Sequence, residues 1–588
     1  IFLLLLVAGL GGFIAFWEVK QPDTKARLTM EVRPFAFTPA EVDLVEVVTK
    51  DETTRLLRKG DEWSIGQPFE DRADPDLVKK LLDSILDLEW LETVERKDMR
   101  REDFRRTGLV DSAVEVTVRK GGRSVAQCRL GAAAPIEGAF YLSRPAENDE
   151  LHLAKTTLPE IVRRSATDWR DPRLLRLKAE DVERFAISAG SGGMEFSRKP
   201  GQMWQLVKPL ETRASDDRVT AVLASVLSLK ATAAKGAVPA PDAGADLPVM
   251  TIALSGGRIA PPVQLTLYPN VDASAEVHAA VSDRRGLFLA KARANDYWKL
   301  LPNHLRDQNL ARIPSGAVVE VRIRSANFGE VVLDRKADTW LLSRFGKQEP
   351  ANQQRVKKLF DTLNTAQVRD FLSDTASSLA PFGLEVPLLT VEWTIGEKRT
   401  AMLFGQATDG TLTAKQSDEP FIYRVGSSVL NSLPPDSVRW RGTRVVDASI
   451  FAVRRIIIAE GDRPSITLHY DADNGTFTAH TAGRDVTAQL DTASANQLLQ
   501  KLVNFEVADW SSDRSAALAT LRNPSLTVQI LLADPAAPNA DAVPLTLSFA
   551  PTQPGMDTAL YHGRRDGEPD TFLLSREAYR ALLVPLLK

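Results

Sequence analysis

The 588-residue sequence predicts an α+β fold, four tandem copies of one mixed α/β domain of about 135 residues, behind an apolar N-terminal segment. Three observations predict it. An aromatic landmark recurs at long, even intervals, each recurrence is followed by an amphipathic helical stretch, and most of the remainder alternates apolar and polar residues with period two.

The landmark is a tryptophan after a charged or glycine-containing turn: Trp63 in GDEWSI, Trp204 in GQMWQL and Trp340 in ADTWLL, with Phe477 of NGTFTA in the corresponding place. The intervals are 141, 136 and 137 residues. A second marker precedes a β-rich run at Leu109, Leu247, Leu384 and Leu521, spaced by 138, 137 and 137 residues. A third closes the first three copies, where DWRDPRLLRL, HLRDQNLARI and RWRGTRVV place Arg170, Arg306 and Arg441 at intervals of 136 and 135. Three markers of unlike chemistry sharing one period define repeats over residues 41–177, 178–313, 314–446 and 447–588, after an apolar segment (1–17) and a juxtamembrane stretch (18–40). The recurrence of the closing arginine assigns it a structural role at each domain junction.

Between the first two markers each repeat predicts a helix. The clearest follows Asp74, a capping residue, and Pro75, which suits a first helical turn; Leu77, Leu81, Ile85 and Leu88 then recur at helical spacing. Its counterparts are DDRVTAVLASVLSL, NQQRVKKLFDTLNT and SANQLLQKLVNF. A second, shorter helix is expected late in each repeat, in TLPEIVRRS, NDYWKLL, SSVLNSL and SREAYRALLVPLLK. Runs such as VEVTV, VQLTLY, LTVEW and ITLHY read as half-buried strands between glycine- and aspartate-rich turns. The expected order is β-β-α-β-β-β-α.

Residues 1–17, IFLLLLVAGLGGFIAFW, carry no charge and at 1.5 Å per residue cover roughly 25 Å of a ~30 Å hydrocarbon layer. No A-x-A site follows and no cysteine is nearby for lipidation, so the reading is an uncleaved single-pass anchor in the inner membrane with the repeats in the periplasm. Ala8, Gly11, Gly12 and Ala15 form small-xxx-small pairs that let another transmembrane helix approach closely.

Chemistry is mostly excluded. Against 77 acidic residues stand 74 basic ones, a balance of −3 that offers no excess cation for a nucleic-acid partner. None of the six histidines forms H-E-x-x-H; His469 and His480 are within reach of each other across an expected hairpin, but such a pair reads first as solvent-facing strand histidines. The lone Cys128 lies on the apolar face of an alternating run and reads as a buried small side chain. Neither a Walker loop nor a G-x-S-x-G elbow occurs. No catalytic residue, metal site or cofactor is assigned, and the protein reads as non-enzymatic. Residues 96–106 hold six basic and three acidic side chains, read first as a solvated, salt-bridged face and otherwise as a contact for an acidic partner or lipid head groups.

One apolar N-terminal span, then a W-x-[LI] turn, an amphipathic helix, G-L before a strand and W-R-D after a helix, resembles a known family. It is similar to the tandem-repeat domain of unknown function in exported proteins encoded beside gliding-motility-type (Gld-type) ABC transporters. The likeness covers residues 41–588 and is closest in GDEWSIGQPFEDRADPDLVKKLL, TGLVDSAVEVTV and DWRDPRLLRL. The fourth copy departs from it, with Phe477 for tryptophan and no W-R-D. The family has no assigned catalytic residues. The resemblance implies an accessory, scaffolding subunit beside an ABC-type permease and its extracytoplasmic partners; a free-standing cell-envelope module binding glycan or polypeptide is the alternative.

Overall fold

The computed structural model describes residues 33–588 apart from 112, 146–149, 191, 236–248, 270–275, 292–296, 376–377, 534–542 and 554–558. Ala8, Gly11, Gly12 and Ala15 and the Leu247 marker lie outside the described residues. Among the described residues no helix is long and apolar enough to cross a membrane.

In repeat 1 the strands are β1 (Leu44–Val48), β2 (Thr53–Lys59), β3 (Glu62–Gln67), β4 (Asp71–Arg72), β5 (Glu89–Glu95), β6 (Val114–Lys120), β7 (Arg123–Ala133), β8 (Ala139–Ser143) and β9 (Glu150–Lys155). They form one nine-stranded sheet in the order β4-β3-β2-β1-β6-β7-β8-β9-β5, with antiparallel pairing throughout. Because β4 and β5 are consecutive in sequence but lie at opposite edges, the chain between them must cross a face of the sheet. It does so as the helix Pro75–Leu86, whose N-cap Asp74 accepts from the backbone N–H groups of Asp76 and Leu77. Leu77, Val78, Leu81, Leu82 and Ile85 of that helix are buried with Val45, Val47, Val116, Val118, Cys128 and Leu130 of the strands in one core. Alternation then dictates that each strand's other residues face outward.

The remaining repeats follow the same plan. Each has a nine-stranded sheet of equivalent order, crossed between its fourth and fifth strands by Asp216–Leu227, Gln353–Thr365 or Thr492–Val503. The chain divides by its contacts into two units, Ile1–Asp307 with repeats 1 and 2 and Gln308–Lys588 with repeats 3 and 4.

The four-copy organisation therefore holds, but the α+β class does not: each copy is a predominantly antiparallel β-sheet domain with one long helix. Two features of the sequence concealed this. The late segments expected as helices shrink to Leu158–Val162, Pro302–Leu305, Arg576–Arg580 and the 3-10 turn Ser427–Ser432, lengths at which the cost of helix nucleation is barely recovered. The edge strands Asp71–Arg72 and Glu89–Glu95 are short or exposed and carry no clear alternation, so neither margin of that sheet gives a period-two signal.

The Gly-Leu marker has a steric cause. Gly383 ends the 3-10 turn Ala380–Phe382 with φ +66°, and a Cβ there would meet the Gln406 carbonyl oxygen at 2.1 Å. Leu384 beside it is buried.

The landmark aromatics are core residues. Trp63, Trp340 and Phe477 lie on inward positions of their strands, and Trp204 stands just ahead of Gln205–Lys208. Trp340 packs on Phe360 of its own repeat's long helix with ring centroids 6.0 Å apart, and its backbone N–H donates to Gln353 Oε1 at 2.9 Å. Trp340→Ala is expected to destabilise the second unit by about 3 to 5 kcal/mol, as for other large core truncations. Denaturant titration followed by circular dichroism checks this; an unchanged midpoint would place Trp340 outside the core's energetics.

Candidate functional site at the repeat junctions

The closing segment of each repeat passes the N-terminus of that repeat's long helix. The helix-capping residue donates its backbone N–H to a closing-segment carbonyl at 2.8 Å in all four: Asp74 to Trp169, Ser215 to Leu305, Asn352 to Trp440 and Asp491 to Leu586. Those four acceptors are buried. The next residue then forms a lone β-bridge to the edge of its sheet, Arg170 to Ala73, Arg306 to Ala214, Arg441 to Ala351 and Leu587 to Leu490. Repeat 4 thus keeps the closure that its sequence did not display, with a leucine where the others have arginine. Three residues after Arg170 and Arg441, Arg173 and Arg444 bridge to Lys230 and Glu506 beside the fifth strands of repeats 2 and 4. One short segment therefore belongs to two sheets.

At the junction of repeats 1 and 2 the Asp71 carboxylate, 1% exposed, accepts from Arg170 Nη1 at 2.9 Å and from Arg284 Nε and Nη2 at 3.0 Å each. Arg284 comes from the turn between the eighth and ninth strands of repeat 2. Its guanidinium is fully buried, lies 4.2 Å over the Phe288 ring and donates a further bond to the Arg173 carbonyl at 2.9 Å. Arg170 lies 4.0 Å over Phe69. In the same turn Asp283 pairs with Arg72.

The junction of repeats 3 and 4 keeps the closing arginine and the acid it meets, Arg441 with Glu349 where repeat 1 has Arg170 with Asp71, but the turn from the later repeat carries the opposite charge. Here the turn of repeat 4 is acidic. Asp570 accepts from Arg344 Nη1 at 2.8 Å and Arg441 Nη1 at 2.7 Å, while Arg441 also meets Glu349 and Glu568 and lies 3.8 Å over Trp510. A second carboxylate, Asp509, accepts from Arg355 Nη2 at 2.9 Å and Arg439 Nη2 at 2.5 Å. The difference in the turn makes pairing selective. The acidic turn of repeat 4 set against Asp71 would bring like charges together in a nearly dry place.

Burial opposes the ionisation of Asp570, yet its bond from Arg344 and the charges of Arg344 and Arg441 hold it below the ordinary carboxylate range. Asp509 is held low in the same way, with burial outweighed by Arg355 and Arg439.

Of the closing arginines, Arg441 bonds across its junction to Glu568 and Asp570, Arg170 bonds Asp71 of its own repeat and lies 5.9 Å over Phe288 of the next, and Arg306, fully buried, donates to Asn303 Oδ1 at 3.2 Å. Sequence reading missed Asp71, Arg284, Arg344 and Asp570. For Asp71 the usable hint was an acid recurring two residues before Ala73 and Ala351; Arg284 and Asp570 carry opposite charges in corresponding turns, so no recurrence of residue type marks them. Elsewhere, His469 and His480 do meet, edge to face at 5.6 Å, and burial with the nearby Arg455 charge pushes His469 down. Among the described residues no group of three His, Cys, Asp or Glu is placed to hold a metal ion. Burial pushes the Cys128 thiol up to about 12.

The profile of a family described as a domain of unknown function (DUF4340) matches three times, over residues 63–233, 204–349 and 346–524. The chain belongs to that family. Two of the DUF4340 matches begin on landmark tryptophans, Trp63 and Trp204, and the first runs on into the next repeat, so it takes in the closing segment of repeat 1. No curated protein matches the chain. Among solved structures, a DnaN sliding clamp (DNA polymerase III subunit beta) from Pseudomonas aeruginosa bound to griselimycin aligns at 8% identity and TM-score 0.11, over 68% of this chain and 95% of that one. A double mutant of Transferrin Binding Protein B from Haemophilus parasuis aligns at 10% identity and TM-score 0.07, over 92% and 96%. Scores of that size show no shared fold.

Asp570→Ala leaves two largely buried guanidiniums without their shared partner and should cost about 3 kcal/mol in the second unit. The pH dependence has a definite sign. Since Asp509 and Asp570 have lowered folded-state values, their stabilisation is fully present above the unfolded value of about 3.9 and is lost as pH falls through the folded value. Denaturation midpoints of the wild type should therefore drop between pH 5 and pH 2.5 more steeply than those of Asp509→Asn/Asp570→Asn; parallel curves would remove these carboxylates from the account.

Proposed function

We propose that this DUF4340 chain is a non-enzymatic, single-pass accessory subunit of an ABC-type export complex. Residues 1–17 pack against membrane partners, and the repeats form a periplasmic scaffold that positions a partner or substrate. The observation carrying this reading is how buried charge is used. Asp71, Arg170 and Arg284 in one unit, and Arg344, Arg441 and Asp570 in the other, satisfy one another across a junction. Charges paired in this way stiffen a pair of sheets. A repeat pair locked by several charged contacts, and not by a flexible linker, holds a binding surface at fixed geometry, which is what a platform requires.

The exporter in this reading comes from the resemblance carried by the tryptophan, Gly-Leu and W-R-D motifs, and the anchor from the uncharged run 1–17. In lipid, helices associate by close packing, which Ala8, Gly11, Gly12 and Ala15 permit.

Purification in mild detergent with mass spectrometry of co-purifying chains tests the proposal. A permease and its ATPase are expected at fixed ratio with the wild type, and Ala8→Leu/Gly12→Leu should lose them while remaining in the membrane fraction. Recovery of the wild-type chain alone, under conditions that keep other transporters intact, overturns the accessory role.

A further inference from the structure

We infer that repeat 1 carries a contact site for an anionic lipid surface on residues 96–110, between β5 and β6; this rests on the membrane-anchored reading above. The segment folds as a 3-10 turn, Arg96–Asp98, and a helix, Arg101–Arg106, both on the exterior. Residues 96–106 contain Arg96, Lys97, Arg100, Arg101, Arg105 and Arg106 against three acidic side chains. Lys97 is paired with Glu95, and Arg106 lies 3.9 Å from Asp103. Arg96 lies 4.6 Å over the Phe104 ring. Arg100, Arg101 and Arg105 are exposed and have no carboxylate at ion-pair distance among the described residues. Four residues beyond the helix stands Val110, an apolar side chain 56% exposed.

The corresponding segments of the other repeats set this one apart. Residues 236–249 of repeat 2 and 374–388 of repeat 3 contain no lysine or arginine, and residues 511–525 of repeat 4 contain only Arg514 and Arg522. A solvated face required by the fold would recur in all four copies. The basic surplus occurs instead in the copy nearest the apolar run.

Distance favours lipid over a diffusing acidic protein. The fifteen residues 18–32 between Trp17 and Arg33 reach at most about 50 Å when fully extended. A domain of this size has a radius of gyration near 14 Å, so repeat 1 is never more than about two of its own diameters from the bilayer that holds residues 1–17. Each basic side chain brought to an anionic surface shifts the contact equilibrium roughly fivefold, and three unpaired arginines about a hundredfold, falling off within a Debye length of about 8 Å at physiological salt.

The test uses the full chain in nanodiscs of phosphatidylcholine alone or with 30% phosphatidylglycerol. Val110→Cys is labelled with bimane, which spares the native Cys128 because that thiol is buried and pushed up to about 12. Quenching by headgroup spin-labelled lipid should be strong in the anionic discs, weak in the neutral ones, and abolished by 0.5 M NaCl. Adding Arg100→Gln/Arg101→Gln/Arg105→Gln should reduce it to the neutral-disc level with an unchanged circular dichroism spectrum. Equal quenching in both discs, or no effect of the triple substitution, overturns the lipid site while the chain's retention in the discs leaves the anchor standing. Failure of the chain to enter either disc removes the anchor, and the lipid site with it.

Discussion

In the first unit the carboxylate of Asp71 sits almost without solvent between the guanidiniums of Arg170 and Arg284, and three charges in so dry a place are tolerable only as a set. Asp71 and Arg170 belong to repeat 1 and Arg284 to repeat 2, so the condition for burying any of them is that both repeats are folded and correctly opposed. The second unit meets the same condition around Asp570, where the later repeat supplies the carboxylate and the earlier one both guanidiniums. Much else in the junction follows. The closing segment must run close to the helix N-terminus to deliver its arginine, and its backbone does so through one bond from the helix-capping residue, repeated in every copy.

That arrangement explains why the closing tryptophan and arginine occur together. Trp169 and Trp440 are completely buried beneath the start of the long helix and fix where the chain turns; the arginine after each then bridges to the edge of its own sheet, at the junction. Leu305 fills the place of the tryptophan in repeat 2 and Leu586 in repeat 4, so the buried anchor can change shape while the backbone path persists. A scaffold gains from such a join, because stiffness between domains comes from satisfied buried charge and requires no large apolar interface that would be sticky before the neighbouring repeat had formed.

The basic segment of repeat 1 is a different kind of feature. It lies on the outside, has no role in any junction described above, and its positions in the other repeats are free to be neutral. Variation of this sort, on a loop between strands of a constant sheet, is where tandem copies of one domain acquire separate roles.

The sequence by itself determined the number of copies, their period and the placement of the long helices, since a buried tryptophan, a left-handed glycine and an amphipathic stripe are local demands that each copy must meet within its own chain segment. It also marked Arg170, Arg306 and Arg441 as recurrent, and placed Cys128 in the core. What it could not show was the true content of each copy. Two-residue edge strands such as Asp71–Arg72 have no periodicity to read, and five-residue turns such as Leu158–Val162 resemble the first turn of a longer helix, so a nine-stranded sheet reads in sequence as a mixed domain of fewer strands. Only the tertiary structure decided which charges meet. Arg284 finds Asp71 across 213 residues, and the matching contact in the second unit has its signs exchanged. Coulomb attraction between two side chains requires opposite charges but does not specify which element supplies which, so no residue type recurs at those positions and nothing short of the fold brings them together.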